Sequence, residues 1–234
     1  MKNAQLILVR HGQSTYNQKN VFTGWTDVDL TDQGREEATK AGLLLKQHDL
    51  YPDICFTSWL KRAIHTGQIM LNALQWEHID VLKSYQLNER HYGDWQGKNK
   101  DEVKQIYGEE MFLAVRRGYD VAPPPLPEAD ERNAWHEKKY AQLDRAQLPR
   151  HESLKETQKR VLAYYHAKIV PQLQKGKRVL ISAHGNTLRA LVMELEQMSP
   201  TAIVQFEILT GEILVYDFDT AMQVIHKETL VVNE

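Results

Sequence analysis

At 234 residues the chain is long enough to bury the core of one α/β domain spanning 1–234, and its length demands no second core. Its 29 basic and 31 acidic residues are interspersed and leave a formal net charge of −2, which excludes the broad positive field that draws nucleic acid or an anionic membrane, so any anion must be held by a local cluster. The single cysteine, Cys55, excludes an internal disulfide, and no apolar run reaches the roughly 18 residues of a membrane span or suits a signal-peptide core, so a cytoplasmic protein is expected.

The first element is an apolar run over 5–9, a buried strand that ends in Arg10-His11-Gly12-Gln13-Ser14. Thr31 and Asp32 signal a helix start, with Ala38, Ala41 and Leu44 on one face. A second strand over 53–56 holds Cys55 as a buried, inert thiol and leads to a helix that Ser58 should start, carrying Arg62, Ile64, Ile69 and Leu71. A third strand over 79–82 precedes the polar loop Leu87-Asn88-Glu89-Arg90-His91-Tyr92-Gly93. The rhythm then breaks. Residues 98–150 are rich in charge, contain Pro123-Pro124-Pro125 and Pro127, and show no buried strand; they read as an inserted, largely helical and loop segment over the site with the proline run as a stiff strap, or else as exposed linker.

Ser153-Leu154-Lys155-Glu156 has capping-box spacing and starts a helix through Val161, Leu162, Tyr165 and Ile169, which Pro171 should kink or end. A strand over 178–183 runs into His184-Gly185-Asn186 and a helix over 187–198, and a last strand is expected over 213–218. Strands alternating with helices predict a three-layer α/β/α sandwich around a mostly parallel sheet, with loops at the strand C-termini free to form a site.

A His-Gly pair after one strand is compatible with a structural histidine. Two such pairs, at the ends of strands that a parallel sheet can set side by side, point to a site with two imidazoles. Phosphoryl transfer requires a nucleophile, positive charge on the nonbridging oxygens and a group that handles the acceptor's proton. His11 is the candidate nucleophile, which requires one ring nitrogen to be unprotonated, most simply because the other donates to a backbone carbonyl. Arg10 and Arg62 offer the fork that matches phosphate oxygens, and a protonated His184 would add a donor. Glu89 is the candidate proton carrier. The structural alternatives are a solvated arginine at a helix start and a surface Glu89–Arg90 pair.

Through Arg10-His11-Gly12, residues 22–30, 57–64 and 87–93, Arg116-Arg117-Gly118-Tyr119-Asp120 and residues 176–186, the chain resembles the 2,3-bisphosphoglycerate-dependent phosphoglycerate mutases, a branch of the histidine phosphatase superfamily, over nearly its whole length. The resemblance implies that His11 carries the phosphoryl group, that Glu89 gives and takes the proton, and that Arg10, Arg62 and His184 surround the phosphate. It implies a substrate-binding set of Ser14, Asn17, Thr23, Gly24, Arg90, Tyr92, Lys100, Arg116, Arg117, Gly185 and Asn186. It further implies interconversion of 3-phosphoglycerate and 2-phosphoglycerate in glycolysis and gluconeogenesis, priming by 2,3-bisphosphoglycerate, bisphosphoglycerate mutase and phosphatase side activities, no metal, and a homodimer or higher homo-oligomer. Lys100, Arg116 and Arg117 would hold the carboxylate and second phosphate. Asp94-Trp95, Gly118 and Glu212 depart from the pattern, and Asp94 would repel an anionic ligand if it faced inward. The alternatives are a histidine phosphatase, with water as acceptor and a small phosphomonoester as substrate, and a noncatalytic binding protein.

Overall fold

The computed structural model describes residues 4–232. Six strands, β1 (Ala4–Arg10), β2 (Ile54–Thr57), β3 (Asp80–Lys83), β4 (Arg178–Ala183), β5 (Glu212–Phe218) and β6 (Val224–Val231), form one sheet in the order β3-β2-β4-β1-β5-β6. The β3–β2, β2–β4 and β4–β1 pairs are parallel, whereas β5 and β6 add an antiparallel edge. The sheet is therefore mostly parallel, as expected. Sequence pattern misses β6 because its middle residues are exposed and only Leu230 is buried, as befits an edge strand with no apolar alternation to betray it.

The helices are α1 (Thr15–Gln18), α2 (Asp32–Gln47), α3 (Lys61–Leu74), α4 (Lys100–Tyr107), α5 (Glu109–Arg117), α6 (Leu154–Tyr164), α7 (Val170–Leu173) and α8 (Gly185–Leu195). Thr31 caps α2 by accepting from Gly34 N, and Ser153 with Glu156 forms the expected capping box of α6. Helix α3 starts two residues later than a Ser58 cap would allow: Leu60 holds the N-cap position without a side-chain bond, and the Ser58 hydroxyl turns to His184. Pro171 does not end its helix. A π-helical stretch, Tyr165–Ile169, precedes it and α7 continues to Leu173; the wider turn accommodates the missing N–H and the proline ring.

Alternation along β1 builds the three layers. Leu6 and Leu8 pack with Val161, Ile169 and Leu188 from the α6–α8 side, while Ile7 and Val9 pack with Ala38, Leu45, Met70 and Leu71 of α2 and α3. Because both faces are covered, β1 and β4 read as continuous apolar runs rather than alternating ones. Truncating a fully buried residue such as Leu8 to Ala should cost about 2–5 kcal/mol.

Residues 100–152 contain no strand and are packed rather than exposed linker. Helices α4 and α5 bury Val103, Phe112 and Val115 against Phe22, Tyr92 and Trp95, and a chain of 3-10 turns seats Tyr140 on Trp25 at 5.3 Å between ring centroids. The proline run lies away from the site. Pro124 O accepts from Asp94 N at 2.9 Å, and His151 Nδ1 bonds Pro123 O at 2.7 Å. Gly93, at φ 54°, permits this approach, since a Cβ there would run into the Pro124 carbonyl.

Candidate active site

Parallel pairing of β1 with β4 sets Arg10 opposite Ala183, so the residues that follow, His11 and His184, emerge together at the sheet's edge. Their ring centroids are 5.1 Å apart and the rings meet edge to face. His11 N donates to Ala183 O at 2.9 Å, which ties the two loops by backbone.

His11 Nδ1 lies 2.7 Å from Gly12 O. A carbonyl only accepts, so Nδ1 carries the proton and Nε2 keeps its lone pair. Arg62 Nε donates to that Nε2 at 3.3 Å. Burial first, then the charges of Arg62 and Arg10, hold the His11 pKa well below the ordinary imidazole value; the ring is neutral near pH 7 and has a nucleophilic nitrogen.

Arg62 is fully buried. Its Nη2 donates to Gly24 O at 2.7 Å and its Nη1 to Thr26 O at 3.0 Å, so the fork is preset and not a solvated helix-end side chain. Burial lowers its pKa to about 10, which leaves it cationic. Gly24 sits at φ 51°, and a Cβ there would strike the Gln96 amide that accepts from Trp25 N. Glycine at this position thus fixes both Arg62 and the wall of the site.

Glu89 Oε1 accepts from Arg90 N at 2.7 Å and from Asn186 N, in the first turn of α8, at 3.1 Å. The carboxylate therefore occupies the amides at this helix start, where the dipole favours negative charge. Arg10 Nη1 donates to Ile208 O at 2.7 Å, while Arg10 Nε and His184 Nδ1 are buried without partners. Two orphaned nitrogens beside His11 fit a phosphoryl group that would satisfy them. His184 Nε2 meets Ser58 Oγ at 2.8 Å. Burial, reinforced by Arg62, holds its pKa well below the usual value, so the ring is neutral near pH 7.

A cavity of about 680 Å³, counting its solvent-open mouth, extends from this cluster. Arg10, His11, Asn17, Thr23, Gly24, Arg62, Glu89, Tyr92, Lys100, Arg116, Arg117, Gly185 and Asn186 all line it. The Tyr92 hydroxyl accepts from Arg90 Nη2 and Asn186 Nδ2, which leaves its own proton to donate inward. Burial and then the neighbouring Arg116 and Arg10 push the Lys100 pKa down to about 8. Six cationic side chains and two carboxylates border the space, a field suited to a multiply charged anion.

Two residues of the expected substrate-binding set are not brought to the cavity. Ser14 is buried as the N-cap of α1, where its hydroxyl and amide both donate to Asn17 Oδ1. Arg90 is spent on the carbonyls of Val115 and Arg116 and on Tyr92. Sequence reasoning missed Ser58, Arg189, Glu207 and Ile208. Arg189 was within reach, because it follows Asn186 by three residues and therefore shares its face of α8; it donates to Asn186 Oδ1 at 2.9 Å. Glu207 had no local signal. It lies beside Arg117 through a 2.7 Å ion pair across 90 residues of chain.

The departures from the family pattern have local explanations. Asp94 faces away from the cavity and pairs with Lys98 at 2.5 Å and Arg132 at 2.9 Å. Trp95 is core, packed with Phe22 and Phe112. At Gly118 a Cβ would meet the Ala114 carbonyl, and Glu212 Oε2 accepts from Leu209 N at 2.8 Å. Trp59 packs on Tyr85 and Tyr140, and Trp76 donates to Pro52 O. Among the described residues no helix is long and apolar enough to cross a membrane, and no three His, Cys, Asp or Glu side chains are grouped to hold a metal.

The model of the histidine phosphatase superfamily (branch 1) matches residues 6–132 and 124–229. The 2,3-bisphosphoglycerate-dependent phosphoglycerate mutase of Nautilia profundicola is 52% identical over 221 residues, covering 94% of this chain and 96% of that protein. That of Treponema denticola is 47% identical over 226 residues, covering 97% and 92%. Among solved structures, a mycobacterial glucosyl-3-phosphoglycerate phosphatase shares the fold with a TM-score of 0.71 at 21% identity, covering 97% of this chain and 98% of the other. With matches on this scale over nearly its full length, the chain belongs to the histidine phosphatase superfamily and, within it, to the family of the 2,3-bisphosphoglycerate-dependent phosphoglycerate mutases.

Proposed function

We propose that this chain interconverts 3-phosphoglycerate and 2-phosphoglycerate through a phosphohistidine on His11. The observation that carries this reading is a single cavity with a neutral, lone-pair-bearing His11 Nε2 at its inner end and Lys100, Arg116 and Arg117 toward its outer end, so that a ligand with two or three anionic groups is held while one of them reacts.

When bound, 2,3-bisphosphoglycerate supplies the phosphoryl group that primes the enzyme. Arg10, Arg62 and His184 would hold the phosphoryl oxygens, and Lys100, Arg116 and Arg117 the carboxylate and remaining phosphate. His11 Nε2 forms a P–N bond as the P–O bond breaks, and Glu89 gives a proton to the departing oxygen. In the next step Glu89 takes the proton from the 2-hydroxyl of 3-phosphoglycerate as that oxygen attacks phosphorus and the P–N bond breaks. Return of the 3-phosphoryl group to the same nitrogen releases 2-phosphoglycerate. Preset donors around the transferring group are the main source of rate here, each contributing about 3–4 kcal/mol.

The test is ³¹P NMR of the protein incubated with 3-phosphoglycerate and a trace of 2,3-bisphosphoglycerate. A growing 2-phosphoglycerate resonance is expected. Free phosphate without 2-phosphoglycerate would overturn the mutase reading in favour of hydrolysis.

A further inference from the structure

The last turn of α5 ends beside the cavity, and its carbonyls are gripped by two buried guanidiniums. Arg90 Nη1 donates to Val115 O at 2.7 Å and Arg90 Nη2 to Arg116 O at 3.0 Å. Arg189 Nη2 donates to Arg117 O and Ile203 O, each at 2.7 Å. Arg90 is fully buried and Arg189 is 4% exposed. Carbonyls at a helix C-terminus lack intrahelical partners and carry the negative end of its dipole. Left bare beside an anion site, they would repel the ligand, and the side chains of Arg116 and Arg117 would have no fixed origin.

Burying two cations for a helix end that water or a glycine cap could satisfy is costly. Their location is informative: the three capped carbonyls belong to Val115, Arg116 and Arg117, and Arg116 and Arg117 are the two arginines that α5 sends into the cavity. Arg90 also donates to the Tyr92 hydroxyl and Arg189 to the Asn186 amide, so the pair joins α5, α8 and the turn after α8 around the outer end of the site.

We propose that Arg90 and Arg189 are positioning residues: by holding the last turn of α5 they aim Arg116 and Arg117 at the second anionic group of the ligand and so set the preference for a multiply anionic substrate over a lone phosphate. The inference rests on the mutase reading for the identity of that ligand, but not for its test.

Titration calorimetry of Arg90→Lys, Arg90→Gln and Arg189→Lys with 3-phosphoglycerate and, separately, orthovanadate tests it. The Kd of 3-phosphoglycerate should rise about tenfold or more in each variant, the loss expected for charge-assisted bonds that no longer hold their partners. For the Arg90 variants, whose altered side chain is outside the cavity, the Kd of orthovanadate should change by less than about threefold, and Arg90→Gln should be weaker than Arg90→Lys toward 3-phosphoglycerate. Adding Arg90→Lys to the double variant Arg116→Ala/Arg117→Ala should weaken binding no further than that double variant alone, because Arg90 acts through those two side chains. Equal weakening toward both ligands, weakening toward neither, or additive losses overturns the inference. If Arg90→Gln does not fold, the Lys variant and the combined-variant comparison still decide. Failure of the mutase reading would appear separately, as free phosphate from the unmodified chain with its binding ratio intact.

Discussion

At the inner end of the cavity the reacting groups sit just after strand ends or beside a helix start, and their partners are largely backbone: His11 on the Gly12 carbonyl, Arg62 on those of Gly24 and Thr26, Glu89 on the amides of Arg90 and Asn186. At the outer end, Lys100, Arg116, Arg117 and Glu207 come from α4, α5 and the segment after α8. They are partly or largely exposed, and Arg117 meets another side chain rather than backbone. Backbone partners cannot rotate away, so the inner end is preorganised for one geometry of phosphoryl transfer. Long side chains on peripheral helices can adjust, which suits them to choosing the ligand rather than executing the reaction.

The largest expected effect tests the inner end alone. His11→Ala should abolish acid-labile phosphoenzyme, read by ³¹P NMR or by label from bisphosphoglycerate, with a loss of about 10⁴-fold or more in turnover. Retained turnover would remove the contrast, since the inner end would then not act through His11 Nε2. Next, Glu89→Gln keeps the shape and the amide contacts but cannot take a proton; kcat should fall by about 10²–10⁴-fold with KM little changed. A rise in KM with kcat intact would move Glu89 from the reaction to ligand binding.

Three buried imidazoles also make stability depend on pH. Burial, followed by nearby arginines, lowers the pKa of His11, His184 and His91, in the last case to about 3. In the unfolded chain each takes a proton near pH 6.5. The unfolded state therefore binds more protons below that pH, so stability is fully present above about 6.5 and is lost as pH falls toward the folded values, by up to about 1.4 kcal/mol per pH unit for each histidine. Denaturant melts between about pH 7 and 5 should show this slope, and His91→Gln should reduce it by one histidine's share. A flat profile would mean these rings are charged in the folded state.

The smallest effect belongs to the outer end. Glu207 lies 2.7 Å from Arg117 and is exposed; replacing it with Gln frees that arginine for the ligand. The KM for 3-phosphoglycerate should fall by about two- to threefold, with kcat unchanged, since exposed pairs contribute little. A rise in KM would show that Glu207 orders Arg117 rather than competing for it.

The same contrast governs how much could be read from sequence. His11 and His184 were legible because an apolar run ending in His-Gly is a local pattern, and two such runs in a parallel sheet must end at one edge. The insertion was legible only as a break in rhythm. That Lys100, Arg116 and Arg117 reach the cavity while the proline run does not depends on how Phe112 and Val115 seat α5 against Phe22 and Trp95. Arg90 lies within a matching motif and Ser14 two residues beyond one, yet their side chains are turned to a helix end and a helix cap.

By itself, the sequence determined the three-layer sandwich, five of the six strands, the Thr31 cap of α2, the capping box of α6 and the pairing of two strand-end histidines, because these follow from side-chain period and from hydrogen bonds that close within a few residues. Tertiary structure alone decided the edge strand β6, the late start of α3, the passage of the helix through Pro171, the neutral state of His11 and His184, and the arrival of Ser58, Arg189 and Glu207 at the site. Those features depend on burial and on contacts between residues far apart in the chain, which no local pattern encodes.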